Sequence, residues 1–310
     1  MTAKLREFAP EDDLLHPESA TGPLARESLA FTAPIPQEEL LVFLYAWREG
    51  GTRWGRFVCI AGPDPTRPLH LSFEGEAAYS GDDLRDFTVS GLHCRQSEPL
   101  KVAQLSFAEP GLDLEVRFAG MHAPFSWHDN ASGCADWMAH DRYEQSCTTS
   151  GRLRLPGRDV EFTGFGHRDH SWGNRDWRYM LHWKWINAAT PDGSLSVHCT
   201  KMYALGNTLL YGYVNRAGAL SRIVHADVQV DLDEKMMHRQ VTARFQGESG
   251  GEVTMEAKYA AGWAMPVQHL VLHEVGMSGA LDGRPATAHI EMGWPAAYVS
   301  GITETPERLS

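Results

Sequence analysis

The chain lacks any apolar run near the roughly 20 residues that a membrane-spanning helix requires, so no transmembrane segment is expected. Residues 1–20 are acidic and proline-bearing rather than basic and then apolar, which argues against a secretory signal. Cysteine is sparse: Cys59, Cys94, Cys134, Cys147 and Cys199 are odd in number, scattered and without Cys-x-x-Cys spacing. A cysteine-built zinc site is therefore not expected, and reduced, buried thiols of a cytoplasmic protein are. Basic charge is also short, with 28 Lys+Arg against 40 Asp+Glu and a net charge of −12. Without a basic stripe to displace counterions from phosphates, nucleic acid is excluded as a partner. No Gly-x-Ser-x-Gly elbow supports serine hydrolysis, and no glycine-rich phosphate loop supports nucleotide binding. Convincing amphipathic helices are few, the best being short pieces around Ala135–Glu144 and near the N-terminus.

What the chain has in quantity is short apolar runs separated by Gly, Pro, Asp or Ser. Glu39–Trp47, Trp54–Ile60, Leu69–Phe73, Phe87–Cys94, Leu100–Phe107 and Leu112–Phe118 read as strands in the first half. Leu112 to Phe118 alternates strictly between apolar and charged residues, as a half-buried antiparallel strand requires. Tyr179–Ala188, Ser194–Tyr203, Leu209–Asn215, Arg222–Leu232, His238–Phe245, Glu252–Tyr259, Gln268–Met277 and Ala286–Gly293 continue the style, with Asp192-Gly193, Ala217-Gly218 and Asp282-Gly283 as turns. The hydrophobic content of 43% supplies ample core. The expected class is all-β, with two consecutive antiparallel β-barrel domains at 28–175 and 176–310 behind a weakly ordered arm at 1–27. Residues 120–143 break the rhythm with aromatic and histidine-rich sequence, the character of a loop that lines or covers a site.

Chemistry concentrates between Phe162 and Trp177, which reads Phe-Thr-Gly-Phe-Gly-His-Arg-Asp-His-Ser-Trp-Gly-Asn-Arg-Asp-Trp. Tryptophan beside Arg-Asp pairs indicates a paired, partly desolvated cluster. On an extended strand His167, Asp169 and Ser171 share one face, and Arg168, His170 and Trp172 the other. Asp169 then need not pair with its neighbour Arg168 and is free to occupy an apolar pocket that favours its protonated form. Gly164, Gly166 and Gly173 read as backbone requirements, for close approach or positive φ. The His167-x-x-His170 spacing would suit a metal only on a helix, and no metal is expected.

Tyr143-Glu144-Gln145-Ser146, the strand and turn that follow it, and Gly164 to Gly173 with its Asp-His-x-Trp-Gly pattern resemble the AttH/carotenoid 1,2-hydratase (hydroxyneurosporene synthase) superfamily. The resemblance is specific over about residues 143–177. It implies tandem lipocalin-like β-barrels and a cofactor-free lyase or isomerase (hydratase, dehydratase or cyclase) for a large isoprenoid-like or aromatic substrate held near the barrel junction. Arg168 stands where a histidine is commoner in the carotenoid hydratases, which points to a divergent subgroup.

Acid catalysis on an alkene needs a dry carboxyl and a wall of π faces for the cation. Asp169 is the expected acid and His170 its partner. Trp172, Tyr143, Trp177, Trp183, Trp185 and His182 are the expected substrate contacts. Arg168 is expected to pair with Glu144, Asp176 or another acid and so to pin the domain junction. The same residues could instead form a satisfied buried network between barrels. A non-catalytic lipocalin-like carrier of a hydrophobic ligand is the alternative reading.

Overall fold

The computed structural model describes residues 4–17 and 21–304. Two antiparallel sheets account for nearly all regular structure. The first contains β1 (Ala25–Ile35), β2 (Leu40–Glu49), β3 (Arg53–Ala61), β4 (His70–Ala77), β5 (Tyr79–Ser80), β6 (Asp86–Val89), β7 (Leu92–Glu98), β8 (Val102–Glu109), β9 (Leu112–Gly120), β10 (Phe125–Ser126), β11 (Asp141–Leu155) and β12 (Arg158–Asn174). Its order is β4-β3-β2-β1-β12-β11-β9-β8-β7-β6-β5, with β10 added beside β11. The two edge strands, β4 and β5, are separated in sequence only by Ala78, and Trp54 of β3 stacks on Tyr79 of β5 at 4.1 Å. The sheet therefore curls almost shut without closing its hydrogen-bond ladder. The second sheet is an up-and-down closed barrel of β13 (Met180–Ala189), β14 (Leu195–Ala204), β15 (Asn207–Arg216), β16 (Ala219–Leu232), β17 (His238–Gly247), β18 (Glu252–Val267), β19 (Leu270–Leu281) and β20 (Arg284–Pro295). The all-β, tandem-barrel expectation holds.

Alternation of side chains builds both cores. Leu29, Phe31 and Ala33 of β1 join Leu40, Val42, Leu44 and Ala46 of β2 in the first interior, while Ala30, Phe43, Tyr45 and Trp47 take the opposite face. The second interior draws buried residues from all eight strands, among them Ile186, Val197, Val214, Ile223, Phe245, Met255, Val275 and Ile290. Side chains pack both lumens, and a large cleft lies between the barrels.

Three local expectations change. Ala135–Glu144 is not helical: it is turn, and then β11 from Asp141 onward. The α-helix found among the described residues, α1 (Ala296–Thr303), falls elsewhere. Phe87–Cys94 is a hairpin, because Ser90 and Gly91 both adopt positive φ and reverse the chain between β6 and β7. The 1–27 arm is also more than loose sequence. Pro10–Asp13 form a 3-10 turn, Asp13 is fully buried, and β1 already begins at Ala25; residues 1–3 and 18–20 lie outside the described residues.

Candidate active site at the barrel junction

The central motif occupies β12, a strand paired to β1 on one side and β11 on the other. Register puts Ala30, Asp169 and Glu144 in one cross-strand row, with Thr32, His167 and Ser146 on one side of it and Ser28, Ser171 and Arg142 on the other. Residues in register share a face, and this face is the outer one, turned toward the second barrel.

Asp169 is 5% exposed and lines a cleft of about 870 Å³ between the two barrels. The first sheet contributes Ala30, Phe43, Tyr45, Trp47 and Phe57 to its wall; the second barrel contributes Trp183, Trp185, Met202, Trp263 and Glu291. Trp127 and Met138, from the irregular 120–143 segment, complete it, and exposed Leu71 and Phe73 of β4 stand at its rim. A cleft of this size and apolarity suits a sizeable hydrophobic small molecule.

Arg142 Nη2 donates to Asp169 Oδ2 at 2.8 Å, and Arg142 Nε donates to Glu144 Oε1 at 2.7 Å. Glu144 also accepts from Trp127 Nε1 (3.1 Å) and Trp185 Nε1 (3.3 Å), and His167 Nε2 lies 2.8 Å from its second oxygen. Burial pushes the Glu144 carboxyl up, but Arg142 and the Trp185 and Trp127 donors act against this, and with its oxygens so fully served Glu144 is the carboxylate that balances Arg142. Burial pushes Asp169 up to about 6, against the pull of Arg142 and with help from the nearby Glu144. Asp169 accordingly holds its proton at mildly acidic pH and releases it near neutrality. Burial likewise keeps His167 and His198 well below the ordinary imidazole value, and both are neutral.

The other face of β12 looks into the first barrel. Arg168 donates to Gln145 (2.7 Å), Gln96 (3.1 Å) and Asp13 (3.3 Å), not to Glu144 or Asp176. Asp176 is instead held by Arg178. Burial raises the pKa of Asp13, but Arg168, His170 and a hydrogen bond from Tyr143 outweigh it and hold the carboxyl below its usual value. Arg168 therefore secures the N-terminal segment inside the first barrel rather than pinning the junction. His170 Nε2 is 3.1 Å from Glu27, and Trp172 stacks on His16 at 3.7 Å. Alternation thus separates the expected pair: His170, Tyr143 and Trp172 belong to this internal plug and do not line the cleft that Asp169 faces.

Trp177, Trp183 and Trp185 do line it. His182 does not: it bonds the Gly293 carbonyl (2.7 Å) and stacks on Trp294. Gly166 is required by close approach, since a Cβ would lie 2.8 Å from the Thr32 carbonyl oxygen, and Gly173 by its φ of +117°. Gly164 meets neither condition, because it is exposed and has open space around it.

Two groups among the described residues have the spacing to grip a cation, Glu144/His167/His198 and His16/Glu27/His170. In the first, the Arg142 guanidinium already supplies the countercharge that a cation would bring.

Sequence reasoning flagged the 120–143 segment, which holds Trp127 and Arg142, without singling out either residue, and it passed over Glu274, His289 and Glu291. The available signal was charge inside apolar strands: Glu274 in Leu-His-Glu-Val and Glu291 in His-Ile-Glu-Met.

No curated protein matches the sequence. Among solved structures, a protein assigned as AttH from Nitrosomonas europaea superposes with a TM-score of 0.62 at 14% identity, over 94% of this chain and 98% of that one. CghA with Sch210972 gives 0.60 at 12% identity, over 87% and 88%. Kievitone hydratase from Nectria haematococca gives 0.59 at 8% identity, over 93% and 92%. The chain thus shares the tandem-barrel fold of the protein assigned as AttH and of kievitone hydratase, the fold that the resemblance over residues 143–177 implies. A family model described as a domain of unknown function, DUF7064, matches residues 9–296, and the chain belongs to that family.

Proposed function

We propose that this protein is a cofactor-independent lyase or isomerase (a hydratase, dehydratase or cyclase) that acts by acid catalysis on a large hydrophobic substrate in the junction cleft. The observation that carries the reading is Asp169: a dry carboxyl with its pKa raised to about 6, facing about 870 Å³ of aromatic-lined space. A proton donor is most effective when its pKa lies near the working pH. Asp169 gives its proton to a substrate carbon. The carboxylate left behind is stabilised by Arg142 at 2.8 Å at the moment the substrate becomes cationic. Because Glu144 balances Arg142, the guanidinium does not oppose that cation with an unscreened charge. Trp183, Trp185 and Trp263 offer π faces worth about 0.5–2 kcal/mol each to it. The fold shared with kievitone hydratase agrees with hydration as one outcome.

The test is to extract the apolar compound that copurifies with the protein, identify it by mass spectrometry, and incubate it with enzyme in heavy-oxygen water. Label incorporation, or conversion to an isomer, that disappears in Asp169→Asn supports the reading. Prolonged incubation without product would make the protein a carrier.

A further inference from the structure

The second barrel presents its own cross-strand row to the cleft: Thr200, Trp185, Glu291, Glu274 and Trp263 are in register across β14, β13, β20, β19 and β18. Two carboxyls sit side by side within it. Glu291 is on the cleft wall; Glu274 is 2% exposed behind it. Trp183 Nε1 donates to Glu291 Oε1, and His289 Nε2 lies 2.8 Å from Glu274 Oε2. Glu274 Oε1, buried, accepts no hydrogen bond from any conventional donor. A buried carboxylate oxygen left bare costs about 1–3 kcal/mol, and like charges on directly paired residues repel, so a proton between the two carboxyls resolves both problems.

We infer that Glu291 and Glu274 form a one-proton carboxyl pair that serves as the general base of the cleft, opposite Asp169. Glu291 is the catalytic residue; Glu274 and His289 are positioning residues. In a hydration, Asp169 forms the new C–H bond and the water oxygen attacks the resulting cation. As the water O–H bond breaks, its proton passes to Glu291, while the proton Glu291 already holds passes to Glu274 Oε1. The cycle closes when the doubly protonated pair returns one proton to Asp169 through solvent. In an elimination the pair takes the proton lost from carbon instead.

The surroundings suit the role. Burial raises both carboxyls, and the bare Glu274 Oε1 is the acceptor toward which a proton on Glu291 is directed. The charged and titratable neighbours are His289, held low by burial and therefore neutral, Arg142 of the first sheet, and Cys59, whose thiol burial pushes up and keeps uncharged. Neutral His289 donates through Nε2 to Glu274, which leaves its Nδ1 without a partner, as observed.

This inference rests on the cleft being the reaction site, but its test separates the two. Infrared spectra of the whole protein above neutral pH, where Asp169 is ionised, should show a protonated carboxyl band that Glu291→Gln removes and Glu274→Gln shifts, because Glu291 then loses its carboxylate acceptor. Adding 1-dodecanol, an apolar probe with a hydroxyl donor, should shift that band in the wild type. No such band, or a band indifferent to dodecanol, overturns the pair as a proton site of the cleft. With the extracted substrate, either variant should lower kcat by about 10²-fold or more and abolish the limb of the pH profile that reports the base, with KM little changed. Wild-type turnover and profile in Glu291→Gln, alongside a dead Asp169→Asn, would overturn the pair and leave Asp169 standing. The reverse pattern would overturn Asp169 and keep the pair.

Discussion

Replacing Asp169 by Asn should make the protein more stable as pH rises, even as it abolishes turnover. An Asp whose pKa is raised on folding binds a proton more readily in the native than in the unfolded state. Its contribution is therefore most favourable below the unfolded value of 3.8 and is lost as pH climbs through the folded value of about 6. That difference corresponds to about 3 kcal/mol at ~1.36 kcal/mol per pH unit. Asn resembles the protonated carboxyl in shape, and its oxygen can still accept from Arg142 Nη2, so the two proteins should match below about pH 4. Above about pH 7, Asp169→Asn should be the more stable by up to about 3 kcal/mol, because the wild type then buries an ionised carboxyl beside Glu144. Urea denaturation followed by tryptophan fluorescence at a series of pH values measures the gap directly, and titrations common to both proteins cancel in the difference. A gap that does not change with pH would refute the reasoning. So would a variant that becomes progressively less stable with rising pH, since that would mean the charged Asp169–Arg142 pair stabilises the fold and the carboxyl is no acid held in reserve.

Asp13 should behave in the opposite sense: its pKa is held low, so Asp13→Asn should cost about 3–5 kcal/mol near neutrality by stranding Arg168, and the loss should fade in acid as the wild-type carboxyl protonates, measured by the same denaturation series. Trp185→Phe removes one N–H donor from buried Glu144 and should destabilise by about 1.5–3 kcal/mol, seen as a lower urea midpoint with an unchanged slope. Ala30→Leu adds bulk to the cleft wall beside Asp169 without touching its hydrogen bond, so KM should rise about tenfold while the pH profile keeps its shape, read in steady-state kinetics with the extracted substrate.

Local pattern was enough to reveal the class of this protein. Strict alternation in Leu112–Phe118, the Gly-containing turns and the Asp-His-x-Trp-Gly stretch each depend on neighbours within a few residues, and they pointed to antiparallel strands, barrels in tandem and one carboxyl of interest. Even the two faces of β12 were readable, because an extended strand alternates whatever surrounds it. Local pattern does not say which face meets which partner. Asp169 has its Arg142 and Glu144 because β11 lies beside β12 in one register, and His170 has Glu27 and the Asp13 plug because an N-terminal segment folds back into the first barrel. The Glu274–Glu291 pair, 17 positions apart in sequence, exists only because β19 and β20 align those two residues across a hairpin. The cleft itself belongs to neither barrel. It arises where the outer faces of two packed barrels meet, so its volume, its dryness and the raised pKa of Asp169 are properties of burial that distant strands impose together.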